Sequence, residues 1–347
     1  MHGCKFKKNP QNYLMSFKNK KIALIGGAGF IGHNLAVTLQ ELGAKVSIFD
    51  SLQVNNLGEV SCLNIPDNKK LYLSFLNERL NILKSNDIDL HVVDARDYFL
   101  LTKHLQHFQA DVTIFLAAVA HAGKANKDPY NTFDHSLRTL ENCLDTLRET
   151  NTHFIYFSSS MVYGNFEKKK VSEKDNCNPL GIYGALKFSG EKLVKAYGQV
   201  FDLNYTIIRP SALYGERCIS RRVSQIFIEN AIRSKDLVIE GDGNESLDFT
   251  YIDDLIQGVR LVIEKKESYN EIFNLTYGKS EKIIKLAKLI ASEFGVNIKF
   301  KQRDKLMPFR GTLDIGLAKK KLGYKPNFNI DAGIKRYIKW YKTKNEI

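Results

Sequence analysis

Short apolar runs alternate with amphipathic stretches through the first 210 residues. The run KIALIGG at 21–27 is almost wholly apolar, which is typical of a strand buried on both faces of a parallel sheet. Helical spacing of apolar residues follows from Phe30 to Leu42. Further strands are predicted at 45–50, 89–94, 111–118, 153–159 and 204–210, with helices at about 70–86, 132–150 and 184–200. This alternation predicts an α/β protein with a Rossmann-type, doubly wound parallel sheet.

The pattern changes after about residue 210, where helices mix with short strands. Helices are predicted near 222–234, 254–265, 281–294 and 331–343. We therefore expect a basic N-terminal extension at 1–20, of which 1–14 lie upstream of Met15, and a Rossmann domain at 21–208. A smaller mixed α/β substrate-binding part is expected at 209–347, with some of its elements returning to the Rossmann domain.

Composition narrows the class of protein. The 347 residues carry a net charge of +13, but the basic residues are scattered and no nucleic-acid-binding signature accompanies them. We expect no nucleic-acid partner, although the positive field can attract an anionic substrate. The five cysteines are widely spaced without a CxxC pair, so neither a disulfide framework nor a metal site is predicted, and a cytoplasmic location fits best. No apolar run reaches about 18 residues, so no membrane span is expected.

A glycine-rich motif, GGAGFIG at 26–32, lies between the first strand and its helix. Gly26 permits a tight turn, Gly29 lets the backbone approach a pyrophosphate, and Gly32 lets the helix pack on the strand. Asp50 ends the second strand, where a carboxylate accepts hydrogen bonds from ribose hydroxyls and repels a 2′-phosphate. The motif predicts NAD rather than NADP as the cofactor, and a structural turn without a ligand is the alternative.

Two further strand ends point to the same edge of the sheet. Asp94 closes the third strand, and the small residues of FLAA at 115–118 close the fourth. Open sheets bind ligands at such positions, where the strand order reverses. Asp94 is alternatively a simple cap or turn residue.

A hydroxyl-rich stretch, SSSMVYG at 158–164, ends the fifth strand, and YGALK at 183–187 opens the next helix. Tyr183 and Lys187 stand four residues apart and so share one helix face. A tyrosine hydroxyl is a poor base near neutral pH, and a neighbouring ammonium together with a positive nicotinamide stabilises its phenolate form. The pair then suits proton abstraction from a sugar hydroxyl that is being oxidised at carbon, with a serine holding that hydroxyl in line.

The chain resembles the extended short-chain dehydrogenase/reductases that act on nucleotide sugars, such as UDP-galactose 4-epimerase. The resemblance covers about residues 20–345 and rests on GGAGFIG, DARD, FLAA, SSSMVYG, YGALK, RPSALYG, GDGNESLDFTYIDD and LGYKP. It implies that Tyr183 is the general acid/base, that Lys187 supports it and binds the nicotinamide ribose, and that Ser159, assisted by Ser160, is the active hydroxyl. It also assigns cofactor contacts to Phe30, Ile31, Ser51, Ala95, Leu116, Ala117, Ala118 and Pro210.

Met161 bears on the type of reaction. Relatives that dehydrate the sugar carry an Asp-Glu pair, and decarboxylating relatives a Glu, where Ser160 and Met161 stand here. A thioether cannot transfer the proton that β-elimination requires. The resemblance therefore favours a nucleotide-sugar 4-epimerase over a 4,6-dehydratase. A C4 dehydrogenase or 4-keto reductase for a hexose or heptose stays open, as does a non-catalytic NAD-binding protein.

Several positions depart from the family pattern. Ala212 and Leu247 replace an Asn and an Arg that commonly contact the substrate diphosphate, and His135 and Arg138 replace an Asn and a Gly. An anion buried without partners is costly, so other cations are expected to bind it. Candidates are Arg217, Arg221, Arg222, Arg303 and Arg310, each of which is alternatively an ordinary surface cation.

A homodimer is also expected. The helical patterns at 132–150 and 184–200 carry apolar residues on more than one side. One side would pack on the sheet, and the remainder would meet a second copy in a four-helix bundle, as in the family that the chain resembles.

Overall fold

The computed structural model describes residues 16–62, 66–304 and 307–345. The strands are β1 (Lys21–Ile25), β2 (Lys45–Asp50), β3 (Asp89–Val92), β4 (Val112–Phe115), β5 (His153–Phe157), β6 (Lys170–Val171), β7 (Tyr205–Arg209), β8 (Leu213–Tyr214), β9 (Leu237–Glu240), β10 (Ser246–Leu247), β11 (Thr250–Tyr251), β12 (Glu271–Asn274), β13 (Glu281–Lys282), β14 (Ile298–Lys301) and β15 (Thr312–Leu313). The α-helices are α1 (Phe30–Glu41), α2 (Leu57–Ser61), α3 (Pro66–Ser85), α4 (Tyr98–Phe108), α5 (Ala122–Lys127), α6 (Pro129–Phe133), α7 (Thr139–Leu147), α8 (Gly181–Phe201), α9 (Val223–Ile232), α10 (Ile252–Glu264), α11 (Ile283–Phe294), α12 (Gly316–Leu322) and α13 (Ile330–Asn345).

The central sheet of the described chain has the order β12-β7-β5-β4-β1-β2-β3, and all of its pairings are parallel. The order reverses between β1 and β4, because β1 lies between β2 and β4. Ile25 is aligned with both Phe49 and Phe115, so the carboxyl ends of these three strands are level. The predicted doubly wound sheet is confirmed, and its reversal point lies where the glycine motif, Asp50 and FLAA follow their strands.

Alternate residues of the central strands face opposite sides of the sheet. On β1, Ile22 and Leu24 belong to one buried cluster, whereas Ala23 and Ile25 belong to the other. The first cluster includes residues of α1, α3 and the C-terminal helices, and the second includes residues of α4, α7 and α8. Burial on both faces explains why these strands are continuous apolar runs in the sequence.

The C-terminal part is divided between the sheet and a smaller lobe. β12 pairs with β7 and extends the central sheet, whereas β9 pairs with β14 in a separate two-stranded sheet. Helices α10, α11 and α13 contribute to the larger buried cluster. Across the described ranges, none of the helices combines the length and apolarity needed to cross a membrane.

The predicted N-terminal extension falls partly outside the described residues, since 1–15 are not described. Within 16–20, Phe17 is fully buried and the Asn19 amide donates to the Gly43 carbonyl at 2.9 Å. Phe17 therefore packs in the core of the Rossmann domain, and backbone hydrogen bonds of Asn19 and Lys20 join the segment to it.

The helix predicted at 132–150 is present but contains a π-helical turn. A π-helical turn, Asp134–Arg138, separates α6 from α7, and α7 ends at Leu147. π-Turns insert an extra residue into a helix and are frequent at functional sites. Here the turn places His135 in the wall of the cavity described next.

Candidate active site

A cavity lies at the carboxyl edge of the sheet. Its wall contains the glycine loop, the ends of β2, β4 and β5, the start of α8 and the segment after β7. The following predicted cofactor residues all line it: Gly26, Gly29, Phe30, Ile31, Gly32, Asp50, Ser51, Asp94, Ala95, Leu116, Ala117, Ala118, Tyr183, Lys187 and Pro210. Sequence-distant motifs thus meet in one site, while the individual roles of these residues stay predictions.

The glycine loop forms a close-fitting cradle at one end of the cavity. Gly26 has a φ of 77°, and a Cβ there would lie 2.7 Å from the Ala117 amide nitrogen. A Cβ on Gly32 would lie 2.3 Å from the Gly27 carbonyl oxygen, so only glycine lets α1 approach the loop this closely. Gly29 is the N-cap of α1 and offers no side-chain acceptor. The first amides of α1 are therefore left to a ligand, and a helix N-terminus favours a phosphate.

Asp50 connects the end of β2 to this cradle. Its carboxylate accepts hydrogen bonds from the Ala28 amide at 2.9 Å and the Leu52 amide at 2.7 Å. Burial raises the pKa of Asp50, and these two hydrogen bonds together with the nearby Arg79 guanidinium oppose that rise. Each oxygen keeps a lone pair for a ribose hydroxyl, as the predicted role requires.

Asp94 is a turn residue, as the alternative interpretation had it, because its Oδ1 accepts from the Arg96 amide at 3.0 Å, and it is also paired with the Arg96 side chain. The Arg96 guanidinium donates to both carboxylate oxygens, with Nη2 to Oδ2 at 2.6 Å and Nε to Oδ1 at 3.0 Å. Burial raises the pKa of Asp94, but the hydrogen bonds from Arg96 outweigh it and leave the pKa below its ordinary value. Asp94 therefore lines the cavity as a carboxylate.

The hydroxyl-rich stretch forms a short 3-10 helix, Ser160–Tyr163, directly after β5. Ser159 is its N-cap, and its Oγ accepts from the Met161 amide at 3.2 Å. The Ser160 amide donates to the Pro210 carbonyl at 3.0 Å, which joins this turn to the end of β7. Both serines line the cavity.

Met161 packs against the predicted general base. It is buried in a small apolar cluster with Tyr183 and Ala125. The side chain that stands where other family members carry an acid thus contributes apolar surface beside Tyr183.

Lys187 lies one turn beyond Tyr183 on α8 and is only 5% exposed. Its Nζ donates to the Phe157 carbonyl at 2.7 Å and lies 5.1 Å from the centre of the Tyr156 ring. Burial lowers the pKa of Lys187 to about 8, and the charge of Glu191 opposes the shift. An ammonium that burial destabilises in this way is stabilised by a neighbouring phenolate or by ribose oxygens.

A buried polar network behind the site was not predicted. Glu191 pairs with Arg209 through two hydrogen bonds of 2.8 and 2.6 Å, and both side chains are almost fully buried. Ser158 donates to the same carboxylate at 2.5 Å, and Arg209 donates to Tyr163 at 2.9 Å. The network ties β5, β7 and α8 together, and so fixes the serine turn relative to the Tyr-Lys face.

Two of the five candidate phosphate-binding arginines line the cavity. Arg222 donates from Nη2 to the Ala120 carbonyl at 2.6 Å. Arg310 lies close enough to interact electrostatically with both Arg222 and Tyr183, and its buried Nε has no hydrogen-bond partner. Burial and the neighbouring Arg222 lower the pKa of Arg310 to about 10, while Tyr183 opposes the shift. Two arginines within electrostatic range of each other in one wall make this part of the cavity suited to an anion.

The other three arginines are not among the residues of the described cavity wall, and the side chains of Arg217 and Arg303 are engaged elsewhere. Arg217 donates to Glu78 at 3.2 Å and to His33 at 3.1 Å. Arg303 pairs with Glu245 and stacks on Phe309 with its guanidinium 4.0 Å from the ring centre. Arg221 lies within electrostatic range of the buried Tyr72, and its amide donates to Gln225 at 2.8 Å. The structure therefore does not bring these three side chains to the predicted substrate site.

The family departures occupy different environments. Ala212, with a φ of 37°, and His135 line the cavity, but Leu247 is buried in the larger apolar cluster. Arg138 lies 3.9 Å from the Asp134 carboxylate and is not part of the wall. Of the two missing phosphate contacts, only the one at Ala212 is a change in the cavity surface itself.

Comparison with known proteins identifies the family. Residues 22–276 match the family described as the NAD-dependent epimerase/dehydratase family. The chain belongs to this family. A Methanocaldococcus jannaschii relative, whose name assigns it provisionally to the UDP-glucose 4-epimerases, is 31% identical over 332 residues, covering 93% of this chain and 99% of its own.

Solved structures agree in fold. UDP-glucuronic acid 4-epimerase from Bacillus cereus, in complex with UDP-glucuronic acid and NAD, is 25% identical, with a TM-score of 0.82 over 93% of this chain and 99% of its own. UDP-N-acetylglucosamine 4-epimerase from Methanobrevibacter ruminantium, in complex with UDP-N-acetylmuramic acid, is 25% identical, with a TM-score of 0.79 over 94% and 99%. The predicted family and its NAD cofactor are confirmed, and the glycine cradle with the uncapped start of α1 fits the dinucleotide.

Sequence reasoning missed the Ser158–Glu191–Arg209 network and the buried Arg79, which also lines the cavity. A signal for Glu191 existed, since it stands four residues after Lys187 on the same helix face. Arg79 occupies an apolar-stripe position of α3, where a charged residue is unexpected.

Proposed function

We propose that the protein is an NAD-dependent nucleotide-sugar 4-epimerase that acts by transient oxidation at the sugar C4. The observation that carries the proposal is the set formed by Ser159, Tyr183 and Lys187 in the same cavity as the glycine cradle. Met161, packed beside Tyr183, supplies no acid for β-elimination. Epimerisation needs no such acid, so Met161 at this position is compatible with it.

Each residue has a distinct role in the oxidation and reduction at the sugar C4. Bound NAD supplies a reversible acceptor for the C4 hydride. Tyr183, as the phenolate, takes the proton from the sugar O4 and returns it when the hydroxyl is restored. Ser159 holds the O4 hydroxyl in line, and the Lys187 ammonium stabilises the phenolate through its charge.

The lowered pKa of Lys187 is consistent with this role. A pKa of about 8 keeps Lys187 mostly protonated at neutral pH, although burial makes the charge costly. A phenolate at Tyr183 on the same helix face offsets that cost, so the two groups favour each other's charged forms.

The substrate proposed is a nucleotide diphosphate sugar, held by Arg222 and Arg310. Both side chains line the same cavity and are within electrostatic range of each other, and Arg310 has an unpartnered buried Nε. A diphosphate carries about two negative charges and accepts bidentate hydrogen bonds from arginine. Since the two solved relatives hold UDP sugars, UDP-linked hexoses, hexuronates and N-acetylhexosamines are the first candidates.

The test is product analysis with each of these UDP sugars by proton NMR and, in parallel, by absorbance of NADH. An epimerase converts the substrate to its C4 epimer without net NADH. Stoichiometric NADH would instead identify a dehydrogenase, and a 4-keto-6-deoxy product would identify a dehydratase.

We also propose that the protein is a cytoplasmic homodimer joined through α7 and α8. Leu140 and Leu144 of α7 and Val194 of α8 face the sheet, whereas Val200 at the end of α8 is 70% exposed and the adjacent Phe201 39% exposed. Exposed apolar residues at the end of α8, a helix that already packs on the sheet beside α7, suit an isologous contact. The free cysteines of the described chain are compatible with a reducing compartment.

A further inference from the structure

Arg79 is a charged residue on the buried face of α3. Tyr72, Phe75, Leu76 and Leu83 form the apolar stripe of this helix, and Arg79 continues it at helical spacing with only 1% exposure. An arginine is almost never fully buried unless it is paired. Its position therefore requires a partner for the guanidinium.

The described protein supplies only part of that partner. The Nε and Nη2 of Arg79 both donate to the carbonyl oxygen of Arg217, with Nε at 3.1 Å, and Nη1 has no hydrogen-bond partner. Among the described residues, no carboxylate forms a hydrogen bond or ion pair with Arg79. Burial lowers the pKa of Arg79 to about 10, the nearby Arg217 adds to the effect, and Cys218 and Asp50 oppose it. The Arg79 guanidinium therefore lacks a counter-ion among the described residues.

Arg79 lines the cofactor end of the cavity. It shares the wall with Gly29 and Phe30 at the start of α1 and with Asp50 at the end of β2. It also lies within electrostatic range of His33, in the first turn of α1, and of Asp50. The start of α1 already favours a phosphate, so a buried cation beside it makes a second attraction for the same anion.

We propose that Arg79 is the counter-charge for the pyrophosphate of bound NAD, acting together with the N-terminus of α1. The pyrophosphate would supply the negatively charged partner that the Arg79 guanidinium lacks. Because Arg79 also binds the carbonyl of Arg217, cofactor binding is linked to the segment that leads to Arg222. The inference concerns the cofactor half of the cavity and does not depend on which sugar is bound.

A different anion at the same place would be the 2′-phosphate of NADP. The Asp50 carboxylate argues against it, since two hydrogen bonds hold that carboxylate at the end of β2 and Arg79 lies close to it. Arg79 cannot favour a 2′-phosphate without placing that phosphate beside Asp50.

The experiment measures binding of NAD, ADP, adenosine and NADP to nucleotide-free protein by calorimetry, for the wild type, Arg79→Met and Arg79→Lys. Arg79→Met keeps the apolar stem and removes the charge. This substitution should weaken the binding of NAD and ADP by about tenfold or more, as expected for a lost charge-assisted contact, and leave the affinity for adenosine unchanged. Arg79→Lys keeps the charge and should retain most of the preference for ADP over adenosine.

Asp50→Asn is the matched control on the ribose side. This substitution should weaken the binding of ADP and of adenosine alike, because both carry the adenosine ribose. The proposal is overturned if Arg79→Met weakens adenosine as much as ADP, since Arg79 would then only shape the site. Unchanged NAD and ADP affinity, or a selective loss of NADP binding, would overturn it as well.

Discussion

Replacing Lys187 by methionine separates its chemical role from its cost to the fold. Methionine keeps the unbranched stem that packs along α8 and removes the ammonium. Turnover should be lost, because no charge is left to stabilise the Tyr183 phenolate. The variant should nevertheless fold, since a buried ammonium is replaced by an apolar group.

The magnitude follows from the lowered pKa of Lys187, about 8 in place of 10.5. A difference of about 2.5 pKa units corresponds to roughly 3 kcal/mol of unfolding free energy. The folded pKa is the lower one, so below pH 8 both states hold the proton and the folded protein bears the full cost. As the pH rises from about 8 to 10.5, the folded protein loses the proton first and that cost disappears.

The assay is urea unfolding of nucleotide-free wild type and Lys187→Met between pH 7 and about 9.5. Wild type should gain roughly 2 kcal/mol relative to the variant over this range, whatever constant packing loss the substitution causes. Lys192→Met, at an exposed position of the same helix, should follow the wild type. If the unfolding free energies of Lys187→Met and wild type changed in parallel with pH, the claim that burial destabilises the Lys187 ammonium would be refuted.

Three further outcomes are expected. Arg222→Ala and Arg310→Ala should each raise KM for the nucleotide sugar about tenfold or more without changing NAD content. The control variant Arg303→Ala should leave KM unchanged. An unchanged KM in the first two variants would place the diphosphate elsewhere. Glu191→Gln breaks a buried ion pair and should cost about 3–5 kcal/mol in chemical denaturation, and a loss well under 1 kcal/mol would contradict the network. Light scattering should give a dimer for the wild type and a smaller species for Val200→Glu; a wild-type monomer at micromolar concentration would count against the dimer.

The sequence was sufficient for the residues that stand at strand ends. Parallel strands place their carboxyl ends on one edge, so the glycine motif, Asp50 and Ser159 had to meet once the strands were identified. Tyr183 and Lys187 followed from the helical repeat. These predictions depend on local spacing and on one topological rule, and the cavity of the structure brings all of these residues together.

Contacts across long sequence separations were not predictable in the same way. Arg217, Arg221 and Arg303 have the same residue type as Arg222 and Arg310, yet only the latter pair lines the cavity. The Arg217 and Arg303 side chains are engaged by Glu78, Glu245 and Phe309, and no sequence spacing encodes those contacts. The same holds for the π-turn at Asp134–Arg138, which the helical pattern did not distinguish from regular α-helix.

The central claim is C4 epimerisation by Tyr183 with tightly held NAD. The most direct test is to incubate the purified enzyme with UDP-glucose, UDP-glucuronic acid and UDP-N-acetylglucosamine, and to follow the C4 proton by NMR. For the true substrate, the account predicts the C4 epimer, no net NADH, and a loss of rate of about 10²–10⁴-fold in Tyr183→Phe with its NAD still bound. Conversion at a near wild-type rate by Tyr183→Phe, or stoichiometric NADH in place of the epimer, would contradict it.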